Sequence, residues 1–323
     1  MKKVGIGIDV GGTYTKILAC TSDGKMLKQD RFSTNPDKGP RPFIKNVAHA
    51  VLEWKKEFGR AVAGVGLGMA GDIDPEKGII RFSPNLNRWR NVSVAAPLKR
   101  MTGVECVMEN DANMAAWGAY TLELKRRYEN IIAVTLGTGV GGGIILGGKL
   151  YHGSTGSAGE IGHTKIQPDG ELCNCGDRGC LEAYVGSYAI SRRALEALKT
   201  APEESILFRL CRGEKRVSTM ALVKAADKGD PIARRIWLET GEYLGRGLVN
   251  LGLLLNPGCI VLTGGVSRAS RHFMPALRMI LFRQSISTPF RKMKIVVSRS
   301  ADLGSFGTAL YGLEKSKRIR AEG

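Results

Sequence analysis

The feature that most constrains this chain is a pattern that occurs twice. Residues 4–20 read as an apolar run (VGIGIDV), a glycine pair and a second run (TYTKILAC), and residues 131–146 repeat this as IIAVTLG, TGVGG and GIIL. Strand, glycine turn and returning strand predict a hairpin in each place. The recurrence marks an internal duplication and predicts two related halves.

The remaining punctuation fits alternating strands and helices. MLKQDRF (26–32) reads as a third strand after the SDGK turn, giving an antiparallel meander. Ile44, Val47, Val51, Trp54 and Phe58 recur at helical spacing, and AVAGVGLGM (61–69) returns to strand. ECVMEND ends a strand, ANMAAWGAYTLELKRR (112–127) reads as helix, and a glycine pair at 147–148 marks another hairpin turn. A long helix over 231–255 stops at Asn256-Pro257-Gly258, followed by strands at 259–263 and 293–297 and a terminal helix from Leu303. The expectation is an α/β chain with two lobes. Residues 1–113 with 303–323 would form a small N-terminal lobe and 114–302 a larger C-terminal one, closing on their ligands around a cleft.

Length and composition exclude several classes. The chain has 323 residues, 43% hydrophobic and 24% charged, with no apolar run long enough for a membrane helix. The start, MKKVGIGIDV, is basic at its tip, but Asp9 interrupts the apolar stretch and no cleavage site follows. A cytoplasmic address with reduced thiols is the expectation. The net charge of +18 would draw in phosphorylated ligands, yet its basic residues are dispersed, with short clusters such as 125–127 and 314–320 that read as solvated surface.

Two segments match G-x-G-x-x-G, at Gly66-Gly68-Gly71 and Gly137-Gly139-Gly142. A dinucleotide turn must open a helix and be followed by an acidic residue, and neither segment does both. A Walker A loop is absent. The hairpin turns instead offer backbone N–H groups with Thr13 and Thr138 beside them, a combination suited to phosphates, and Asp9 could hold Mg²⁺ directly or through water. With TGGVS at 263–267, nucleotide phosphates are the favoured reading over plain tight turns.

Of seven cysteines, three fall within CNCGDRGCLE (173–182). Cys173, Cys175 and Cys180 cannot close into disulfides by pairs, and the C-x-x-C of a thioredoxin-like pair is missing. The spacing suits tetrahedral zinc with His163 as fourth ligand, a closed structural Cys₃His set. Cys20, Cys106, Cys211 and Cys259 read as inert core thiols. Asp111, where a buried strand meets a helix, could face a cleft as a general base or serve as a helix N-cap, and position alone leaves both open.

These segments carry a resemblance. IGIDVGGTYTKI, AVTLGTGVGGGI and IVLTGGVSR resemble the phosphate-1, phosphate-2 and adenosine motifs of the sugar kinase–actin–Hsp70 superfamily. EIGH (160–163) with CNCGDRGCLE resembles the signature of its ROK branch (repressor, open reading frame, kinase), and ENDANMAAWGAY is most similar to that branch's bacterial glucokinases. The resemblance implies a two-lobed actin-like ATPase fold with a zinc-binding loop. It implies nucleotide contacts at Asp9, Gly11, Gly12, Thr13, Lys16, Gly137, Thr138, Gly139, Gly264 and Gly265, with ATP and Mg²⁺. It implies hexose contacts at Gly71, Asn85, Asn110, Asp111, Glu160, His163 and Glu182, with Asp111 as base and zinc holding the sugar-facing side chains.

The same resemblance leaves alternatives. The sugar could be N-acetylmannosamine, N-acetylglucosamine, fructose or allose, and polyphosphate could replace ATP. ROK repressors carry a helix-turn-helix ahead of the phosphate-1 motif; here that motif begins at Val4, leaving no room for one, so a non-catalytic sugar-responsive regulator is only the second expectation. No specific nucleic-acid or membrane partner is expected, and the family implies a dimer or tetramer.

Overall fold

A computed structural model describes residues 2–86 and 89–322, with side chains through Lys317. Asn87 and Arg88, and the side chains of Arg318 to Arg320 in the basic cluster at 314–320, lie outside the described residues. The chain divides into two units, one of residues 1–129, 143–159 and 300–323, the other of 130–142 and 160–299.

The first unit is built on Val4–Val10 (β1), Tyr14–Thr21 (β2), Met26–Ser33 (β3), Val62–Met69 (β4), Asp72–Asp74 (β5), Ile79–Phe82 (β6), Arg90–Ser93 (β7) and Cys106–Asn110 (β8). One sheet has the order β3-β2-β1-β4-β8, and β5-β6-β7 form a separate small sheet. The two hairpins are antiparallel, whereas β1, β4 and β8 run parallel. Val47, Val51 and Trp54 of the helix Pro40–Phe58 join Ile6, Ile8 and Leu67 in one core, as their spacing predicts. The terminal helix Leu303–Glu322 lies directly on β1 and β4, because side chains at Gly7 or Gly66 would collide with the Ser305 or Thr308 carbonyl.

The second sheet comprises Ile131–Leu136 (β9), Val140–Leu146 (β10), Lys149–Leu150 (β11), Cys259–Thr263 (β12) and Lys294–Val297 (β13), in the order β11-β10-β9-β12-β13. β9, β12 and β13 run parallel. Each sheet therefore has a hairpin on one side of a central strand and two parallel strands on the other. This is the duplication read from the glycine turns, now visible as matching topology.

The helix expected over 112–127 is shorter. An α-helix covers Asp111–Gly118, a π-turn covers Ala119–Glu123, and Lys125 and Arg126 take left-handed φ values of 47° and 56°. The chain folds back because the Arg126 amide donates to the Tyr120 carbonyl and its guanidinium lies over the Trp117 and Tyr120 rings. The helix Pro231–Leu255 matches its expected bounds, with Asp230 accepting the Ala233 amide at its start and Asn256 left-handed at its end. No helix among the described residues is long and apolar enough to cross a membrane.

Candidate active site

In the first unit, strand register gathers the predicted residues at one edge. Val10 pairs with Met69, and Met69 with Asn110. The Gly11-Gly12 turn, Gly71 and Asp111 thus all leave the carboxyl ends of parallel strands, the edge where open α/β sheets bind ligands. The Gly11 amide closes its turn on the Tyr14 carbonyl at 3.1 Å, and Thr34 braces it through Oγ1 to the Gly11 carbonyl and its own amide to the Thr13 carbonyl. Thr13 is exposed, and a side chain at Gly12 would press on Asn85.

Asp9 and Lys16 are register partners across this hairpin. Lys16 Nζ donates to Asp302 at 3.0 Å, and Ser305 Oγ lies 3.4 Å from Asp9 Oδ2, at the start of the terminal helix. Burial pushes the Asp9 carboxyl above its ordinary range, against the opposing pull of Lys16 and Ser305.

At the β8–helix junction the cap is Asn110, not Asp111. Asn110 Oδ1 accepts the amides of Ala112 at 2.8 Å and Asn113 at 3.3 Å, and its Nδ2 donates to the Gly71 carbonyl at 3.1 Å. Asp111 is the first helical residue, half-buried, with Oδ1 also near the Ala112 amide at 2.9 Å. Gly71 has φ 124°, which an L side chain rarely adopts.

The second unit repeats the arrangement. Thr135 pairs with Thr263, so Gly137 and Gly264 follow neighbouring strand ends. The Gly137 amide donates to the Gly139 carbonyl at 2.9 Å, Thr138 is exposed, and Gly265 faces open space. Gly264 has φ 92°, and a side chain there would collide with the Leu136 carbonyl. Glu182 is buried; its Oε2 accepts the Val140 amide at 2.9 Å and its Oε1 lies 3.5 Å from Cys173 Sγ. Glu160 is exposed, with Oε2 3.9 Å from His163 Nε2.

His163, Cys173, Cys175 and Cys180 bring one donor atom each to within 4.8 Å of one another. His163 Nδ1 and Cys173 Sγ are 3.8 Å apart, as are Cys175 Sγ and Cys180 Sγ. A tetrahedral ion with thiolate bonds of about 2.3 Å has edges of about 3.8 Å, so the donor set fits such an ion in both chemistry and spacing. Burial pushes the Cys173 thiol up to about 12, against the opposing pull of hydrogen bonds from the Cys175 backbone and Tyr188. Lys165 Nζ lies 3.0 Å from Cys180 Sγ and from Asp177, and these partners raise its pKa. The other four cysteines are free, and burial raises each of them, Cys20, Cys106 and Cys259 to about 12.

Sequence reading missed Glu109, His152, Asp302 and Ser305. The available signal for Glu109 was an acidic residue directly after the apolar run 106–108 in β8. The other three are brought to their partners only by tertiary folding.

The ROK family model matches residues 5–311. The chain belongs to the ROK family. A glucokinase of Thermotoga maritima is 36% identical over 273 residues, 84% of this chain and 85% of the relative. A ROK family glucokinase from Streptomyces griseus, solved with glucose and AMPPNP, superposes with a TM-score of 0.80 at 31% identity, covering 96% of this chain and 99% of the other. The mixed α/β sugar-kinase fold is thereby shared. A xylose repressor of Caldicellulosiruptor bescii is 28% identical over 302 residues, 92% of this ROK chain and 74% of the relative.

Proposed function

We propose that this ROK protein transfers the γ-phosphoryl group of ATP to a hexose, glucose first, with Asp111 as general base. One observation carries the assignment: Asn110 supplies the helix cap, so the cap does not account for Asp111. Its half-buried carboxylate sits at the strand edge beside Gly71 and the β1–β2 turn. A carboxylate so placed takes the acceptor hydroxyl's proton as phosphoryl transfer proceeds, worth about 10²–10⁴-fold in rate.

The chain's other groups divide the remaining work. Amides of the Gly11-Gly12 and Gly137–Gly139 turns, with Thr13, Thr138 and Lys16, would hold phosphates, and Gly264-Gly265 would flank the adenosine. Asp9 would hold Mg²⁺, which supplies charge neutralisation on those phosphates. Gly71, Asn85, Asn110, Glu160, His163 and Glu182 would orient the hexose. His163, Cys173, Cys175 and Cys180 would hold a structural zinc, a cross-link that does no chemistry. The glucokinase relatives, similar over most of the chain, support this reading.

A coupled ATP-to-ADP assay over hexoses and N-acetylhexosamines, with polyphosphate as a second donor, tests it. Turnover is expected on glucose, and none on any sugar would overturn it. The second reading, a sugar-responsive regulator, is favoured by the repressor relatives. It requires sugar binding by calorimetry without turnover.

A further inference from the structure

Glu109, in β8, is 1% exposed. A carboxylate at that depth is rare unless partners hold it. Oε1 accepts the Asn110 amide at 2.9 Å and Asn113 Nδ2 at 3.0 Å, and Oε2 meets His152 Nε2 at 2.6 Å. The two amides donate to Oε1, and toward an ionised carboxylate, which only accepts, His152 Nε2 would be the donor as well.

These contacts wrap around Asp111. Glu109 grips the residue before Asp111 through its backbone amide and the residue two beyond through its side chain. Asn113 Oδ1 is buried with no hydrogen-bond partner among the described residues, so the amide contributes here by donating to Glu109. His152 belongs to a segment that Ser157 ties to Asp72 at 3.0 Å and Ala158 closes on the His152 carbonyl. Its side chain is 26% exposed and lines a cavity of about 970 Å³ in the first unit.

We propose that Glu109 and His152 form a positioning pair that fixes the orientation of Asp111, a proposal that rests on the reading of Asp111 as the base. In this role neither residue need touch a reacting atom. Glu109 locks the turn that aims the Asp111 carboxylate, and His152 locks Glu109. Misplacement of a reacting group by about 1 Å can lose about 10²-fold in rate, so a rigid turn is worth the burial of a charge.

The test measures hexose turnover and thermal melting for wild type, Glu109→Gln, His152→Ala and His152→Gln, and for each substitution in an Asp111→Ala background. Glu109→Gln and His152→Ala are expected to lower kcat about 10–10²-fold with hexose KM nearly unchanged. His152→Gln, whose amide can still donate, should retain more of kcat than His152→Ala. In the Asp111→Ala background the same substitutions should leave the residual rate unchanged while still lowering the melting temperature. Lower melting with unchanged kcat overturns the pair, as does an equal loss of kcat with and without Asp111. His152→Ala, at a partly exposed position, supplies the answer if Glu109→Gln fails to fold. Wild type inactive on every hexose removes the base reading and this proposal together, whereas active wild type with unaffected variants removes the pair alone.

Discussion

Glu182 joins Val140 to Cys173: one carboxylate oxygen accepts the Val140 amide at 2.9 Å while the other lies 3.5 Å from the Cys173 sulfur. A single buried side chain therefore joins the loop of thiols to the start of β10, next to the glycine turn at 137–139, so under the proposed function the metal, sugar and nucleotide sites would share one support. Glu182→Ala would leave the buried Val140 amide unsatisfied, at a cost of about 1–3 kcal/mol. Glu182→Gln keeps an acceptor for it. The expected outcome is that the Ala variant loses AMPPNP affinity and melts lower, while the Gln variant keeps most of its nucleotide affinity. Calorimetry giving equal nucleotide affinity for all three proteins would refute the coupling.

Asp9 predicts a conflict between stability and function. Burial raises its folded-state pKa, so folding disfavours the ionised form and carries a penalty at pH above the ordinary carboxyl value. That penalty disappears as pH falls below the ordinary carboxyl value of 3.8, where Asp9 is protonated folded or unfolded. Asp9→Asn should therefore melt higher than wild type at neutral pH in chelator-containing buffer. The difference should shrink toward zero on acidification, and Mg²⁺-dependent nucleotide binding should be lost. Parallel melting curves across that pH range would contradict the argument.

How far the sequence could be read depends on whether a feature was local. The two hairpins, the Gly264 turn and the thiol spacing are written in contiguous residues, and their elements appear within three residues of expectation, the largest shift being β10, which begins at Val140 inside the expected turn. The β8–helix junction was only half legible. Asn110 and Asp111 are both good caps, and the choice was settled by a bond to the Gly71 carbonyl, far away in the chain. Glu109 was visible as an acidic residue after an apolar run, but its role was illegible because it depends on His152, which folding delivers from 43 positions away. The shortened helix after Gly118 was hidden similarly, since nothing in the periodicity announces that Arg126 will stack on Trp117.

If His163, Cys173, Cys175 and Cys180 hold zinc as proposed, its removal should act on stability before chemistry. A strong chelator is expected to lower the melting temperature and to open Cys173, Cys175 and Cys180 to a thiol reagent. Cys20, Cys106 and Cys259 should stay silent, because burial holds their thiols near 12. Lys165→Met should speed metal extraction by about tenfold, because the ammonium beside Cys180 supports the thiolate from outside the ligand set. Elemental analysis finding no zinc in the purified protein, with melting indifferent to chelator, would rule the site out.

Asp111 and Asn110 should separate cleanly on substitution, because Asn110 supplies the helix cap while Asp111 is proposed as the base. Asp111→Ala removes an acidic group from a first helical turn, worth about 0.3–1 kcal/mol, and leaves the cap in place. Asn110→Ala removes the cap, worth about 0.5–2 kcal/mol, and also the bond to Gly71. The Asp111 variant is therefore expected to melt close to wild type, retain its zinc and bind hexose, while kcat falls by about 10²–10⁴-fold. The Asn110 variant should melt lower and lose hexose affinity. Near-normal turnover in Asp111→Ala, measured with the coupled assay at saturating glucose, would eliminate Asp111 as the base, and with it the mechanism built on that junction.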